Sequence, residues 1–277
     1  MAPPPNETMS ETVREPAVAG RFYPANPERL RADIESYLFS DKKIPAIACM
    51  LPHAGYMYSG QVAGAVFSRL EIPKSCIVLG PNHTGRGHPL AIMKEGAWRT
   101  PLGDISIDSG LAATLMREFP VLSEDSAAHR SEHSIEVELP FLQVCRPEVK
   151  LVPIAIGTGH LVLLEQLGEA IAQALKYSRK SVLIVASSDM NHYEDDTTTR
   201  VKDRKAIEKI LALDAPGLYQ TVMNESISMC GFGPAVAMLT AARRLGAQKA
   251  ELAQYATSAD VSGDHKVTVG YAGIIIR

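Results

Sequence analysis

Long apolar runs are missing from this 277-residue chain. Each aliphatic stretch, such as Ile44 to Leu51, breaks after a few positions, well short of the roughly 18 residues a membrane-spanning helix needs. Basic runs are missing too. With 28 Lys+Arg against 31 Asp+Glu the net charge is -3, and no stretch could follow a phosphate backbone, which excludes nucleic acid as a partner. Cysteine is scarce. Cys49, Cys76, Cys145 and Cys230 contain no Cys-x-x-Cys pair, which argues against a disulfide framework and a four-cysteine zinc site and fits a reducing cytoplasm. Also absent are a Gly-x-Ser-x-Gly elbow, a P-loop and a Gly-x-Gly-x-x-Gly turn, so esterase, NTPase and dinucleotide readings lose support. The first fifteen residues, MAPPPNETMSETVRE, have neither the positive start nor the apolar stretch of a secretion signal and read as a frayed tail. We set the flexible tail at 1–13 and a single domain at 14–277.

What is present is an ordinary globular composition, 46% hydrophobic and 21% charged. Aliphatic runs at 44–51, 76–79, 151–156, 182–185 and 267–276 predict strands. Between most of them lie helical patterns, at 27–38, 61–70, 110–118, 134–145, 161–177, 199–213 and 234–245, the first with Asn26 as cap before Pro27. The glycine and proline punctuation between His88 and Ile107 suggests a hairpin added to the sheet. The alternation predicts an α/β three-layer sandwich, a largely parallel central sheet with helices on both faces.

Polar residues of the ligand type appear immediately after the apolar runs, which in open α/β sheets is the ligand-binding edge. IACML is followed by His53, CIVLG by His83, and VLIVA by Ser187, Ser188, Asp189 and then His192. A fourth contribution is Cys230, a thiol among glycines ahead of a helix that Pro234 could start, where a helix amino end would favour the thiolate. Two imidazoles and a thiolate with an open position would suit iron, copper or zinc. Plainer readings stand beside these. A histidine in such a loop is commonly a hydrogen-bonding organiser, Asp189 can cap the segment after it, and Glu132 to Glu136 can simply open a helix. Phe22 and Tyr23 either pack the amino-terminal arm or wall a pocket, while His88, His129, His160 and His265 read as surface or turn residues.

Taken in order, AGRFYP (19–24), PHAGYMYSG (52–60), LGPNHTG (79–85), EHSIEVELPFL (132–142), SSDMNHY (187–193), CGFGP (230–234) and GYAGIII (270–276) resemble the Memo family. The chain looks like protein B of the AmmeMemoRadiSam set. The resemblance implies a fold similar to the LigB-type class III extradiol dioxygenases, which are non-haem iron enzymes. It also implies that His53, His83 and Cys230 are metal ligands and that Asp189, His192 and His133 are pocket residues, His192 resembling the dioxygenases' acid–base histidine. The expected cofactor is one divalent metal, iron(II) first, with copper or zinc as alternatives. Cys230 stands where the dioxygenases have glutamate, which casts doubt on catechol cleavage. Animal relatives are described as phosphotyrosine-peptide-binding adaptors, and Phe22 stands where the animal form has tryptophan. The leading expectation is therefore a dioxygenase-like oxidoreductase, with a peptide-binding module and a zinc hydrolase as alternatives. AMMECR-type and radical SAM proteins are the partners this resemblance implies, with a small molecule or peptide in the pocket.

Overall fold

The computed structural model describes residues 12–176, 178 and 181–277. Its centre is four parallel strands in the order Ala48–Leu51, Val182–Ser187, Ser75–Pro81 and Lys150–Ile156. They are buried on both faces, which is why they read as unbroken aliphatic runs rather than alternating ones. Register brings their carboxyl ends level, with Leu51 opposite Ser187 and Leu79 opposite Ala186. The three strands that carry His53, His83 and Asp189 are therefore direct neighbours running the same way.

Antiparallel strands close the sheet on both sides. Thr268–Ile276 pairs with Ala48–Leu51, and Ala250–Thr257 and His192–Glu194 both pair with Thr268–Ile276. On the far side Leu90–Ile92 pairs antiparallel with Lys150–Ile156. Helices cover both faces. Phe232–Arg244 packs against Leu161–Lys176 and the strands Val182–Ser187 and Ser75–Pro81, while Tyr56–Phe67 packs with Pro27–Tyr37 and Leu139–Cys145. Two glycines of Thr268–Ile276 mark the two layers, since residues 270 and 273 point to opposite faces of a strand. A Cβ on Gly273 would lie 2.7 Å from Val66, and one on Gly270 would run into the Asp203 carboxyl, so the helices Tyr56–Phe67 and Asp196–Leu211 sit against bare backbone.

Several elements differ from the sequence reading. The 88–107 region does contain a hairpin, Ala97–Thr100 with Gly103–Ser106, but it leaves the main sheet and pairs with Val13–Arg14 in a three-stranded sheet of its own. The strand Val13–Arg14 thus overlaps the stretch read as tail, and the frayed-tail expectation for 1–11 lies outside the described residues. Asn26 does cap the first helix, accepting from the Arg29 N–H ahead of Pro27. The segment 134–145 is a short turn of 3-10 helix at Glu136–Glu138 followed by Leu139–Cys145 rather than one continuous helix. A helix at Ala215–Asn224 and the strand Ala250–Thr257 were not foreseen. That strand is half-buried and mixes Glu251 and Gln254 with small apolar residues, so it shows no aliphatic run. Among the described residues no helix is long and apolar enough to cross a membrane.

Candidate metal centre

Three imidazoles meet at the carboxyl edge of the parallel strands. One ligand atom from each of His53, His83 and His133 lies within 4.8 Å of the others. The His83 and His133 rings stack at 4.8 Å and 20°, and His53 stands edge-on to both, at 5.2 and 5.4 Å. His133, expected as a pocket residue, thus lies with the two histidines expected as ligands.

Each ring is held by the nitrogen that faces away from the cluster. His53 Nδ1 is 2.8 Å from the Ser187 hydroxyl. That hydroxyl has two acceptors for its own proton, the Ser134 carbonyl at 2.6 Å and the Glu138 carboxyl at 2.9 Å, so its oxygen accepts from His53. The network assigns the proton of His53 to Nδ1 and leaves the Nε2 lone pair as an acceptor toward the cluster. Burial, reinforced by the neighbouring histidines, lowers the His53 pKa well below its ordinary value and keeps the ring neutral. His83 Nδ1 is 2.9 Å from Glu132 Oε1, and His133 Nδ1 is 3.3 Å from the same oxygen. Histidines that bind metals are commonly fixed this way, one nitrogen on a carboxylate or hydroxyl and the other free.

Glu132 is the hub of this arrangement, although the sequence reading gave it only a place at a helix start. Its carboxylate accepts the backbone N–H groups of His83, His133 and Ser134 at 2.5, 2.9 and 3.0 Å. Burial alone would push it up, but the His83 hydrogen bond, the His83 charge and these N–H donors hold it at about 2. The segment around it is pinned by the amino-terminal arm. Arg14 pairs with the Glu136 carboxylate and donates to the carbonyls of His129 at 3.0 Å and Glu132 at 2.6 Å. Tyr23 Oη donates to Glu136 at 2.6 Å, and the Ala17 and Val18 N–H groups donate to the same carboxylate. Tyr23 therefore packs the arm, whereas the Phe22 ring lies 4.8 Å from that of His133 and walls the site.

Cys230 reaches the cluster. Its Sγ is 3.3 Å from His53 Nε2 and 3.7 Å from the Asp189 carbonyl. The expected activation of this thiol is corrected by its surroundings: burial, with the Asp189 charge beside it, pushes the thiol upward. The following helix starts at Phe232 with Gly231 as its cap residue. That amino end does not outweigh desolvation, so a thiolate here needs a cation next to it. Gly231 is required because a Cβ there would sit 2.4 Å from that of Ser188.

Asp189 plays the part its plainer reading gave. Its Oδ1 accepts the His53 N–H at 2.8 Å and anchors the loop that carries the ring, while burial raises its carboxyl to about 7. His192 is gripped by Ser228, its backbone N–H on the hydroxyl at 2.7 Å and its Nδ1 on the carbonyl at 2.8 Å. Burial lowers its pKa, so this ring too is neutral and can accept a proton. His129 departs from its expected surface role. It is fully buried, edge-on to Trp98 at 5.5 Å, and burial, aided by the Arg14 charge, lowers it to about 4. His160 and His265 are exposed as expected, and so is His88.

Comparison with known proteins gives a consistent result. A family model described as Memo-like protein matches residues 14–275. A MEMO1 family protein of Methanopyrus kandleri is 44% identical over 280 residues, covering 95% of this chain and 99% of the relative. One from Methanosarcina barkeri is 42% identical over 270 residues, covering 96% of this chain and 100% of the relative. Among solved structures, an uncharacterized protein from Escherichia coli K12 aligns with a TM-score of 0.50 at 13% identity, over 80% of this chain and 98% of that one. It shares the fold alone.

Proposed function

The chain belongs to the Memo family, and on that premise we propose that it is a mononuclear metalloprotein with oxidoreductase, dioxygenase-like chemistry, its ion held by His53, His83 and His133 with the Cys230 sulfur as a further donor. One observation carries the reading. His53 and His83 hydrogen-bond through Nδ1 to a hydroxyl and a carboxylate outside the cluster, His133 Nδ1 lies 3.3 Å from that same carboxylate, and one ligand atom of each ring lies within 4.8 Å of the others, an arrangement that fits a cation. Imidazole and sulfur donors fit iron(II), copper or zinc, and such an ion supplies Lewis acidity and, for iron or copper, electron transfer.

The protein's own groups supply the rest. His192 accepts a proton at Nε2 and returns it, Asp189 and Ser187 hold His53 in place through its backbone and ring, and Glu132 fixes the other two rings. Phe22 covers one side of the cluster and limits water there. Three histidines are also the donor set of some hydrolytic zinc sites, which keeps a hydrolase as the second reading.

Elemental analysis after anaerobic purification tests the proposal. Stoichiometric iron or copper in the parent, and its loss from His53→Ala and His133→Ala with the circular dichroism unchanged, are the expected results. Retention in Cys230→Ser with loss in His133→Ala makes the imidazoles the ligand set, and the reverse transfers the third position to sulfur. Stoichiometric zinc without iron or copper selects hydrolysis. A parent that binds no divalent metal under any condition rejects the metalloprotein.

A further inference from the structure

Beside the imidazole cluster lies an open pocket of about 770 Å³, a size suited to a small molecule, with His133 and Phe22 on its inner wall. The two structures share His133, which belongs both to the cluster and to the pocket lining. The charges on the pocket wall do not cancel. Arg14 is spent on Glu136, and Glu15 is paired with Arg99 at 2.7 Å. Arg21 and Arg130 also line the pocket, and among the described residues neither has an ion pair or a side-chain hydrogen bond. Ser126 and Ser131 add hydroxyl donors to the same lining.

Two uncommitted guanidinium groups lining the same pocket as His133 make a recognition surface for negative charge, since the planar fork of Arg matches carboxylate and phosphate oxygens. A structural surface role would pair such groups with nearby acids, as Arg99 is paired with Glu15 and Asp104. We propose that Arg21 and Arg130 bind the acid group of a low-molecular-weight anion, a carboxylate or a phosphate, and that the pocket presents the remainder of that molecule to the His133 side of the cluster. This deepens the metal-site reading and rests on it only for which end of the ligand meets the histidines. In that arrangement the arginines choose the substrate by its charge, and a neutral analogue of equal size leaves both of them unpaired and is rejected.

Calorimetric titration of the full chain, stripped of metal, with inorganic phosphate, with succinate and with neutral succinamide tests this. The parent is expected to bind one of the two anions, more weakly as salt is raised, and to ignore succinamide; which anion binds separates the phosphate source from the carboxylate. Replacing both residues, Arg21→Ala with Arg130→Ala, is expected to weaken that binding by at least roughly tenfold. Arg21→Lys with Arg130→Lys keeps the charge but loses the bidentate fork, and recovers part of it. Equal affinity in the parent and the double alanine variant, or no binding of either anion to the parent, overturns the assignment. Metal content is read on unstripped portions of the same preparations. His53→Ala that loses metal but keeps anion binding supports both readings, whereas a double alanine variant with full metal and unchanged anion affinity rejects the arginines and spares the metal site.

Discussion

Glu132 and Glu138 lie six positions apart on one segment, are equally buried, and are held in opposite protonation states. Glu132 faces the loops, where three backbone N–H groups and two imidazoles surround it, and stays ionised at about 2. Glu138 faces the core, where burial and the Asp189 charge push it well above the ordinary carboxyl range against the single Ser187 hydrogen bond. The difference teaches that burial alone does not set a carboxyl's charge; the number of donors aimed at it does. It also divides the labour at the cluster. A charged carboxylate orients His83 and His133, and a neutral acid, acting through Ser187, orients His53.

The comparison breaks first where the charged side is stripped of its counter-ion. Arg14→Met leaves the Glu136 carboxylate buried without its guanidinium and frees two carbonyls, and is expected to cost about 3–5 kcal/mol in urea unfolding. A loss below about 1 kcal/mol would mean that Tyr23 and the Ala17 and Val18 N–H groups suffice to hold that carboxylate.

Glu132→Gln strikes the metal side next. Glutamine puts an NH2 where the backbone N–H groups of the loops point, so His83 and His133 lose their common anchor and metal affinity should fall about 10–100-fold in competition with a chromophoric chelator. Because the folded pKa of Glu132 is depressed, its contribution to stability is present above pH 4.5 and disappears as pH falls toward about 2. Metal-free parent should therefore lose more stability than Glu132→Gln across that interval.

Glu138→Gln is the mildest test and runs the other way. The native group is already neutral, so at pH 5 the variant should lie within about 1 kcal/mol of the parent. A raised folded pKa gives stability that is full below pH 4.5 and is lost as pH rises through the folded value, so the variant should gain on the parent between pH 5 and 8. Paired Tm measurements check it, and parallel curves for the two glutamate variants would erase the distinction drawn between them.

Much of the site was legible because parallel strands end together. Reading His53, His83 and Asp189 as loop residues after aliphatic runs required only that those runs be adjacent and parallel, and the registers Leu51 with Ser187 and Leu79 with Ala186 supply that. The carboxyls and the arm were not legible. Glu132, Glu136 and Glu138 sit among residues that a helix start would also use, and their partners His83, Arg14 and Ser187 are each about fifty or more positions away. His129 looked exposed because its neighbours in sequence are polar, yet Trp98 and Arg14 close over it from other elements. The thiol of Cys230 misled in the same sense: a helix start is visible in sequence, whereas the desolvation that opposes it is not.

The strand Thr268–Ile276 lies inside the sheet, its residues Ile274, Ile275 and Ile276 laddered to Met50, Cys49 and Ala48. During synthesis the strand that presents His53 is made early and its neighbour on that side more than two hundred positions later. The edge that brings the imidazoles together is thus flanked on that side by a strand made far later than the one leading into His53, a long-range pairing that closes late in folding.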